Sequence, residues 1–455
     1  MSRLRLVLPA LATALLAVPV VASCTATSGA GSPSSTVDRP AAGATASLRV
    51  SAARADEITA LLTDRLGAVT RGDRAAWLSA LAPDVGQTVR TAQGLIFDRM
   101  RAMGVTDLHV VSVSLLSEPA PSTATPATAT TTPPTDPAMP ATRARLTATY
   151  RLAGFDTSPR TFVVDLALAA QQGSDATGAG PGPRLRSWDP AERLQPWDLD
   201  GLRVRRTADA LLLVVGSEAR LDELTRRART AAGQVAAVWG RSEPSVWVAP
   251  GTDDDAARLL GRTGASMARV AAVTDGPLEP GVPAGADRIV IVPSPWVGLS
   301  GVGRDVVLTH ELTHASVRAS TTRTVPSWLA EGFAELVAYR SVALPEREVV
   351  APALDLVSAQ GPPSSLPAAA DFDPAAGRLA AAYGLSLLAV RELADRQGTA
   401  ALVRLYREAA GGLAAPAASL GDAEAITDLA LVRAGTDRAT LVRQWRARIA
   451  SLTTS

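Results

Sequence analysis

The run HELTH, residues 310–314, combines two histidines and a glutamate in the pattern HExxH. Residues four apart share one face of a helix, so His310 and His314 can offer two ring nitrogens to one metal ion, with Glu311 beside them. Zinc is the metal expected for this pair. Because a catalytic zinc keeps three protein ligands and one position open to water, a third ligand must come from elsewhere in the chain.

The third ligand has few candidates. The only other histidine, His109, lies far upstream in an alternating run that is typical of a structural strand. A metzincin would extend the motif to HExxHxxGxxH, but Val317 and Ser320 stand where that family needs glycine and histidine. A carboxylate remains, and Glu331 is the best placed, after the sixteen intervening residues 315–330.

A second helix is predicted to carry Glu331. Pro326 and Ser327 indicate where it starts, because proline suits a first turn and serine caps exposed N–H groups. Glu335 lies one turn after Glu331 and therefore shares its face of the helix.

The phrase WLAEGFA, residues 328–334, resembles the W-L-x-E-G-F-A signature of the gluzincin metallopeptidases, the thermolysin-like and M1-aminopeptidase-like group of peptidase MA-like enzymes. The resemblance is strong over residues 285–340 and weaker to the C-terminus. It implies that Glu331 is the third zinc ligand and that Glu335 holds a ligating histidine from behind. The sequence lacks the G-x-M-E-N element with which M1 enzymes grip a substrate amino terminus, which argues against aminopeptidase activity.

The same resemblance implies two further site elements. In gluzincins the strand before the HExxH helix edges the cleft, so Ile289, Val290 and Ile291 are expected to pair with an extended peptide; the alternative is an ordinary core strand. Tyr383 occupies a predicted helix roughly where M1-like sequences carry a tyrosine that hydrogen-bonds the developing oxyanion. The alternative for Tyr383 is a packing role.

The amino-acid composition limits the number of domains and the kinds of partner to be expected. A chain of 455 residues with 47% hydrophobic residues can form two or three domains with sizeable cores. The basic residues are all arginine, and the formal net charge is only +1, so nothing in the charge balance favours nucleic acid as a partner.

The first residues resemble the signal peptide of a bacterial lipoprotein of actinobacterial type. Residues 1–23 carry two arginines and then a short apolar run broken by prolines, which is a poor membrane span. Cys24, the only cysteine, follows Val21-Ala22-Ser23 as in a lipobox and is the expected lipidation site. Diacylglyceryl attachment would anchor the chain stably at the extracytoplasmic face of the cell membrane. The residues that follow, to position 46, are predicted to be a flexible linker.

The remaining chain is predicted to be α+β, with two domains. Residues 47–215 run from helices to a series of strands, an order similar to NTF2-like α+β cone domains, with flexible insertions at 119–140 and 171–183. Residues 216–455 are the expected gluzincin-like peptidase domain, with a helical lobe from about residue 345.

These features predict a membrane-anchored zinc metallopeptidase acting on a peptide or protein substrate, with one zinc ion and Glu311 as general base. A second hypothesis is a non-catalytic surface lipoprotein that binds a ligand or an envelope partner, with the zinc fold as a structural module. A zinc hydrolase acting on a non-peptide amide shares every residue named and stays open as a third.

Overall fold

The computed structural model describes residues 42–116, 142–169, 182–267, 270–279, 281–412 and 422–454. The predicted signal peptide, Cys24, the insertion 119–140 and most of the insertion 171–183 lie outside the described residues. The first helix begins at Ala42, so residues 42–46, which were predicted to be linker, are helical. No helix among the described residues is long and apolar enough to span a bilayer.

The N-terminal unit ends at Asp200 and places three helices before a four-stranded antiparallel sheet of order β1-β2-β3-β4. Gly72, in the left-handed region at φ 74°, ends the first helix, and Asp73 caps the second by accepting from the Ala76 N–H. The elements are α1 (Ala42–Arg71), α2 (Arg74–Ser79), α3 (Gln87–Met103), β1 (Val105–Leu116), β2 (Thr142–Leu152), β3 (Arg160–Leu168) and β4 (Leu185–Pro190).

Alternation along β2 and β3 buries one face of this sheet. In β2 the buried positions are every second residue from Ala144 to Leu152, which is the period of a strand covered on one side. Trp77 and Trp188 lie in the core, with ring centroids 5.6 Å apart. The helices-then-sheet order agrees with the α+β prediction, whereas the NTF2-like cone is not confirmed and stays a prediction.

The second unit begins at Gly201, which corrects the predicted boundary after residue 215. The two strands at residues 202–215 belong to its five-stranded sheet, of order β5-β6-β7-β9-β8. The reason is pairing: β6 is buried along most of its length and pairs in parallel with β7, which follows after a helical crossover. This part contains β5 (Leu202–Arg206), β6 (Ala210–Val215), α4 (Glu218–Trp239), β7 (Ser245–Ala249), α5 (Asp253–Leu260), α6 (Gly264–Met267), β8 (Ala272–Asp275), β9 (Arg288–Ile291) and α7 (Pro293–Gly298).

Helices make up the remainder of this unit, as predicted for the C-terminal lobe. They are α8 (Gly301–Arg318), α9 (Ser327–Tyr339), α10 (Glu346–Val349), α11 (Ala351–Gln360), α12 (Leu379–Gln397), α13 (Thr399–Arg407), α14 (Ala423–Arg433) and α15 (Arg438–Thr454), with a π-helical turn at Glu408–Gly412. A single apolar core joins α4, α8, α9 and α12 to the sheet. Helices α8 and α9 pack on each other, which sets the two sequence motifs side by side.

Candidate metal centre

Two adjacent helices carry the predicted ligands. Ser300 caps α8 by accepting from the Gly303 N–H at 3.0 Å, and His310 and His314 follow on one face of that helix. Glu331 lies in the second turn of α9. The His310 side chain is fully buried, Glu331 is 5% exposed and His314 is 11% exposed, so solvent reaches the cluster on the His314 side.

The three side chains converge on one point. The two Nε2 atoms lie 3.0 Å apart, and Oε2 of Glu331 lies 3.2 Å from each of them. Among the described residues, this is the only group of three or more histidine, cysteine or acidic side chains whose donor atoms are close enough to hold a metal ion. The convergence expected from the sequence is therefore observed.

The donor set fits zinc. Two imidazole nitrogens and a carboxylate oxygen are typical ligands of a catalytic zinc, and a tetrahedral ion with bonds of 2.0–2.1 Å holds its ligands about 3.3 Å apart. The observed separations of 3.0 and 3.2 Å are close to that spacing. A neutral imidazole uses its Nε2 lone pair as an acceptor when Nδ1 carries the hydrogen. Three acceptor atoms that face one another need a proton or a cation between them.

Glu335 supports this arrangement from behind. Its Oε1 lies 2.8 Å from Nδ1 of His310, on the opposite side of the ring from the cluster. Neither atom has a hydrogen-bonding partner elsewhere in the described part of the chain. A carboxylate in this place favours the tautomer with hydrogen on Nδ1, which leaves Nε2 as the ligand atom. This proximity is compatible with the supporting role that the resemblance implied for Glu335.

The electrostatics of the cluster are strongly coupled. Burial lowers the pKa of His310, but the carboxylates of Glu331 and Glu335 outweigh burial and raise it well above its ordinary value. Burial raises the pKa of Glu331, but the two histidines outweigh that effect and lower it to about 2. An ionised Glu331 and a proton on a neighbouring histidine therefore favour each other when no metal ion is bound.

Glu311 lies in the same turn of α8 as the ligands and is fully buried. Its Oε2 accepts two hydrogen bonds from Thr274 of β8, from the N–H at 2.8 Å and from the hydroxyl at 2.7 Å. Its Oε1 has no hydrogen-bonding partner among the described residues. Burial raises the pKa of Glu311, opposed by the charges of the two histidines and the hydrogen bond from Thr274.

The prediction that residues 289–291 form a strand edge that pairs with substrate is wrong. Ile289, Val290 and Ile291 lie in β9, which is buried throughout and pairs with β7 on one side and with β8 on the other. Its backbone groups are therefore already used. The strand that ends the sheet on the side of α8 is β8, and no other described strand pairs with its outer edge.

Tyr383 reaches the site from α12. Its ring is 1% exposed and lies edge-on to the His310 ring, with centroids 5.8 Å apart. This close approach depends on Gly332 of α9, where a Cβ would overlap the carbonyl oxygen of Ser386. The position is compatible with both roles considered for Tyr383, packing and a donor to the oxyanion.

Thr274 and the strand that carries it were missed by the sequence analysis. The signal was present but short: the apolar run 270–273 precedes Thr274 and is followed by Asp275-Gly276, a turn pair that can end a strand. Four residues of strand are too few for periodicity to reveal.

Comparison with known proteins adds little to this geometry. No protein-family model matches the chain, and neither does any curated protein. Among solved structures, the chain is similar to a two-domain M1 zinc metallopeptidase mutant bound to L-arginine, with 16% sequence identity and a TM-score of 0.31. The match covers 63% of this chain and 59% of that one, so the chain spans less than two thirds of its neighbour. Overlap at this level does not establish the family.

Proposed function

We propose that this chain is a zinc metallopeptidase that hydrolyses peptide bonds. The observation that carries the proposal is the convergence of His310, His314 and Glu331 on one point, beside the buried Glu311. One oxygen of Glu311 is anchored, and the other has no partner in the part of the chain that the structure describes. This is the arrangement that metal-assisted hydrolysis needs: three ligands, one open position and a base next to it.

The residues divide the chemistry between them. His310, His314 and Glu331 would hold zinc, which when bound supplies a Lewis acid and a water of lowered pKa. Glu311 takes the proton from the attacking water through Oε1 and passes it to the leaving amine. Tyr383 donates a hydrogen bond to the negative charge that develops on the substrate carbonyl oxygen. Glu335 keeps the His310 ring in the tautomer and orientation that expose Nε2.

The outer edge of β8 is the proposed docking place for an extended substrate. The Thr274 N–H points to Glu311 rather than to β9, so the Thr274 carbonyl also faces away from β9. Because the Thr274 N–H already donates to Glu311, a substrate strand would pair here with the Thr274 carbonyl, which would place its backbone next to the base in the manner of β-augmentation. This edge replaces the strand at 289–291 in the proposal.

The competing hypothesis is a non-catalytic binder with a structural zinc. A structural site closes its coordination with four protein ligands, whereas a catalytic site leaves one position open. The cluster in the described residues holds three. That difference favours the enzyme.

The decisive experiment uses Glu311→Gln in the purified chain. Zinc content is expected to stay at one ion per chain, and kcat on casein or a peptide library is expected to fall by roughly 1,000-fold or more, because the base is lost. The same substitution at Glu348, an exposed residue of α10, serves as the control. Hydrolysis at the parent rate by Glu311→Gln would overturn the assignment of the base, and zinc without turnover in the parent chain would favour the binder.

Anchoring at the extracytoplasmic face of the cell membrane is a separate proposal and is supported only by the sequence. It depends on Cys24 as the lipidated residue. In cell fractionation, Cys24→Ser is expected to move the protein out of the membrane fraction, since the acyl chains would then have no attachment point. A variant that stays in the membrane fraction would contradict the lipid anchor.

A further inference from the structure

Both hydrogen bonds to the Glu311 carboxylate in the described structure come from one residue, Thr274. The two side chains lie almost out of contact with solvent: Thr274 is 4% exposed and Glu311 is fully buried. The two bonds to Oε2 are therefore shielded from solvent, and the orientation of the carboxylate depends on Thr274.

The single hydrogen of the Thr274 hydroxyl has two acceptors within reach, both on Glu311. Its Oγ1 lies 2.7 Å from Oε2 of Glu311 and 2.9 Å from the backbone carbonyl oxygen of the same residue. A β-branched side chain has few rotamers open to it in a strand, so this hydroxyl is a rigid donor. The terminal torsion of a glutamate, by contrast, rotates over a broad range unless its oxygens are bonded.

The two carboxylate oxygens are consequently not equivalent. Thr274 occupies Oε2 with two hydrogen bonds, while Oε1 is buried and has no partner among the described residues. We infer that Thr274 is a positioning residue for the proposed hydrolysis: it fixes Oε2 so that Oε1 is the oxygen that receives the proton. This inference rests on the proposed function.

Thr274 also belongs to the strand that is proposed to bind substrate. It lies in β8, the strand whose outer edge is the proposed docking place for substrate. The same residue therefore sets the direction of the base and forms part of the edge that a substrate would pair with. Substrate register and base orientation are linked through a single backbone position.

The test compares three variants of the full chain. Thr274→Val removes the hydroxyl and keeps the shape and the backbone N–H, and Thr274→Ser restores the hydroxyl. Thr313→Val is the matched control, because Thr313 is also a buried threonine of this region, and its hydroxyl donates to the Thr309 carbonyl within α8 and not to Glu311. Each is assayed for zinc content, thermal unfolding, kcat and KM, and the zinc-loaded parent chain and Thr274→Val are crystallised.

Thr274→Val is expected to lower kcat by roughly 10-fold with unchanged KM and zinc content, since one of two hydrogen bonds to the carboxylate is lost. Thr274→Ser is expected to recover most of kcat, and Thr313→Val to keep it. In the crystals, the Glu311 carboxylate should hold its orientation in the parent chain and turn in Thr274→Val. Loss of kcat to the same degree in Thr274→Val and Thr313→Val would overturn the inference, because it would show a structural effect.

A carboxylate that keeps its orientation in Thr274→Val would also overturn the inference. The crystallographic comparison separates this inference from the proposed function. If the parent chain has no hydrolytic activity, the proposed function fails, while the turn of the carboxylate still decides whether Thr274 orients Glu311.

Discussion

Each of the two units buries a polar cluster, and the two clusters satisfy their charged groups in opposite ways. In the N-terminal unit Arg65, 1% exposed, donates to the Trp77 carbonyl oxygen and to Oε1 of Gln93, both at 2.5 Å. Its guanidinium also lies 3.6 Å from the centre of the Trp77 ring. Burial lowers the pKa of Arg65 to about 9, so the group stays charged at neutral pH.

In the C-terminal unit, three hydrogen-bond acceptors face one another. Nε2 of His310, Nε2 of His314 and Oε2 of Glu331 face one another within 3.2 Å. Arg65 brings its own charge and donates to neutral carbonyl and amide oxygens, while its Nε has no partner among the described residues. The histidine cluster is complete only with a proton or a cation. The comparison teaches that burial alone does not distinguish a structural polar cluster from a binding site. What distinguishes them is whether hydrogen-bond donors face acceptors or acceptors face one another.

The largest effect that tests this difference is expected for His314→Ala. Removal of one of three ligands should lower zinc affinity by roughly 1,000-fold or more and abolish the stabilisation that zinc gives to the folded chain. Competition with a chromogenic chelator measures the affinity, and calorimetric unfolding with and without zinc measures the stabilisation. Zinc binding at the parent affinity would show that the ion is held elsewhere.

Arg65→Met is expected to have a smaller and different effect. Two buried acceptors lose their donor at about 1–3 kcal/mol each, partly offset because a desolvated charge is removed. The free energy of unfolding should therefore fall by about 2–4 kcal/mol in denaturant titrations, with zinc affinity unchanged. A change in zinc affinity would contradict the view that the Arg65 cluster is purely structural.

The sequence was sufficient to predict the metal-ligating residues because their geometry is local. His310 and His314 are fixed by one helical turn, and the residue that supplies the third donor lies on the next helix, which packs directly on the first. Helical spacing needs no knowledge of the rest of the fold.

The sheet order could not be obtained in the same way, because strand neighbours depend on contacts far apart in the chain. Strand β9, at residues 288–291, precedes α8 in sequence, yet β8 and not β9 forms the edge of the sheet on that side. For the same reason the strands at 202–215 were assigned to the first domain, although β6 pairs with a strand some thirty residues later. Thr274, the hydrogen-bond partner of Glu311, was missed with its strand.

The pH dependence of zinc binding gives the finest test of the comparison. Burial lowers the pKa of His310, and Glu331 and Glu335 raise it by more, so the zinc-free chain holds a proton on this ring to higher pH than a free imidazole does. A protonated ring cannot ligate, and zinc must displace the proton. Apparent zinc affinity should therefore rise by about 10-fold per pH unit until the pH passes the pKa of His310.

Glu335→Gln sharpens that prediction. With one of the two carboxylates neutralised, the proton on His310 is held less tightly, so zinc binding should release fewer protons at pH 7 and depend less on pH. Titration calorimetry in buffers of different ionisation enthalpy counts the protons, with Glu348→Gln as the matched control.

The stability of the zinc-free fold depends on pH in the opposite direction to zinc affinity. A raised histidine pKa stabilises this fold below the unfolded pKa of about 6.5, and the stabilisation is lost as the pH rises through the folded pKa. Zinc should consequently raise the melting temperature more at pH 8 than at pH 6, and an equal shift at both would mean that no proton on His310 competes with the metal.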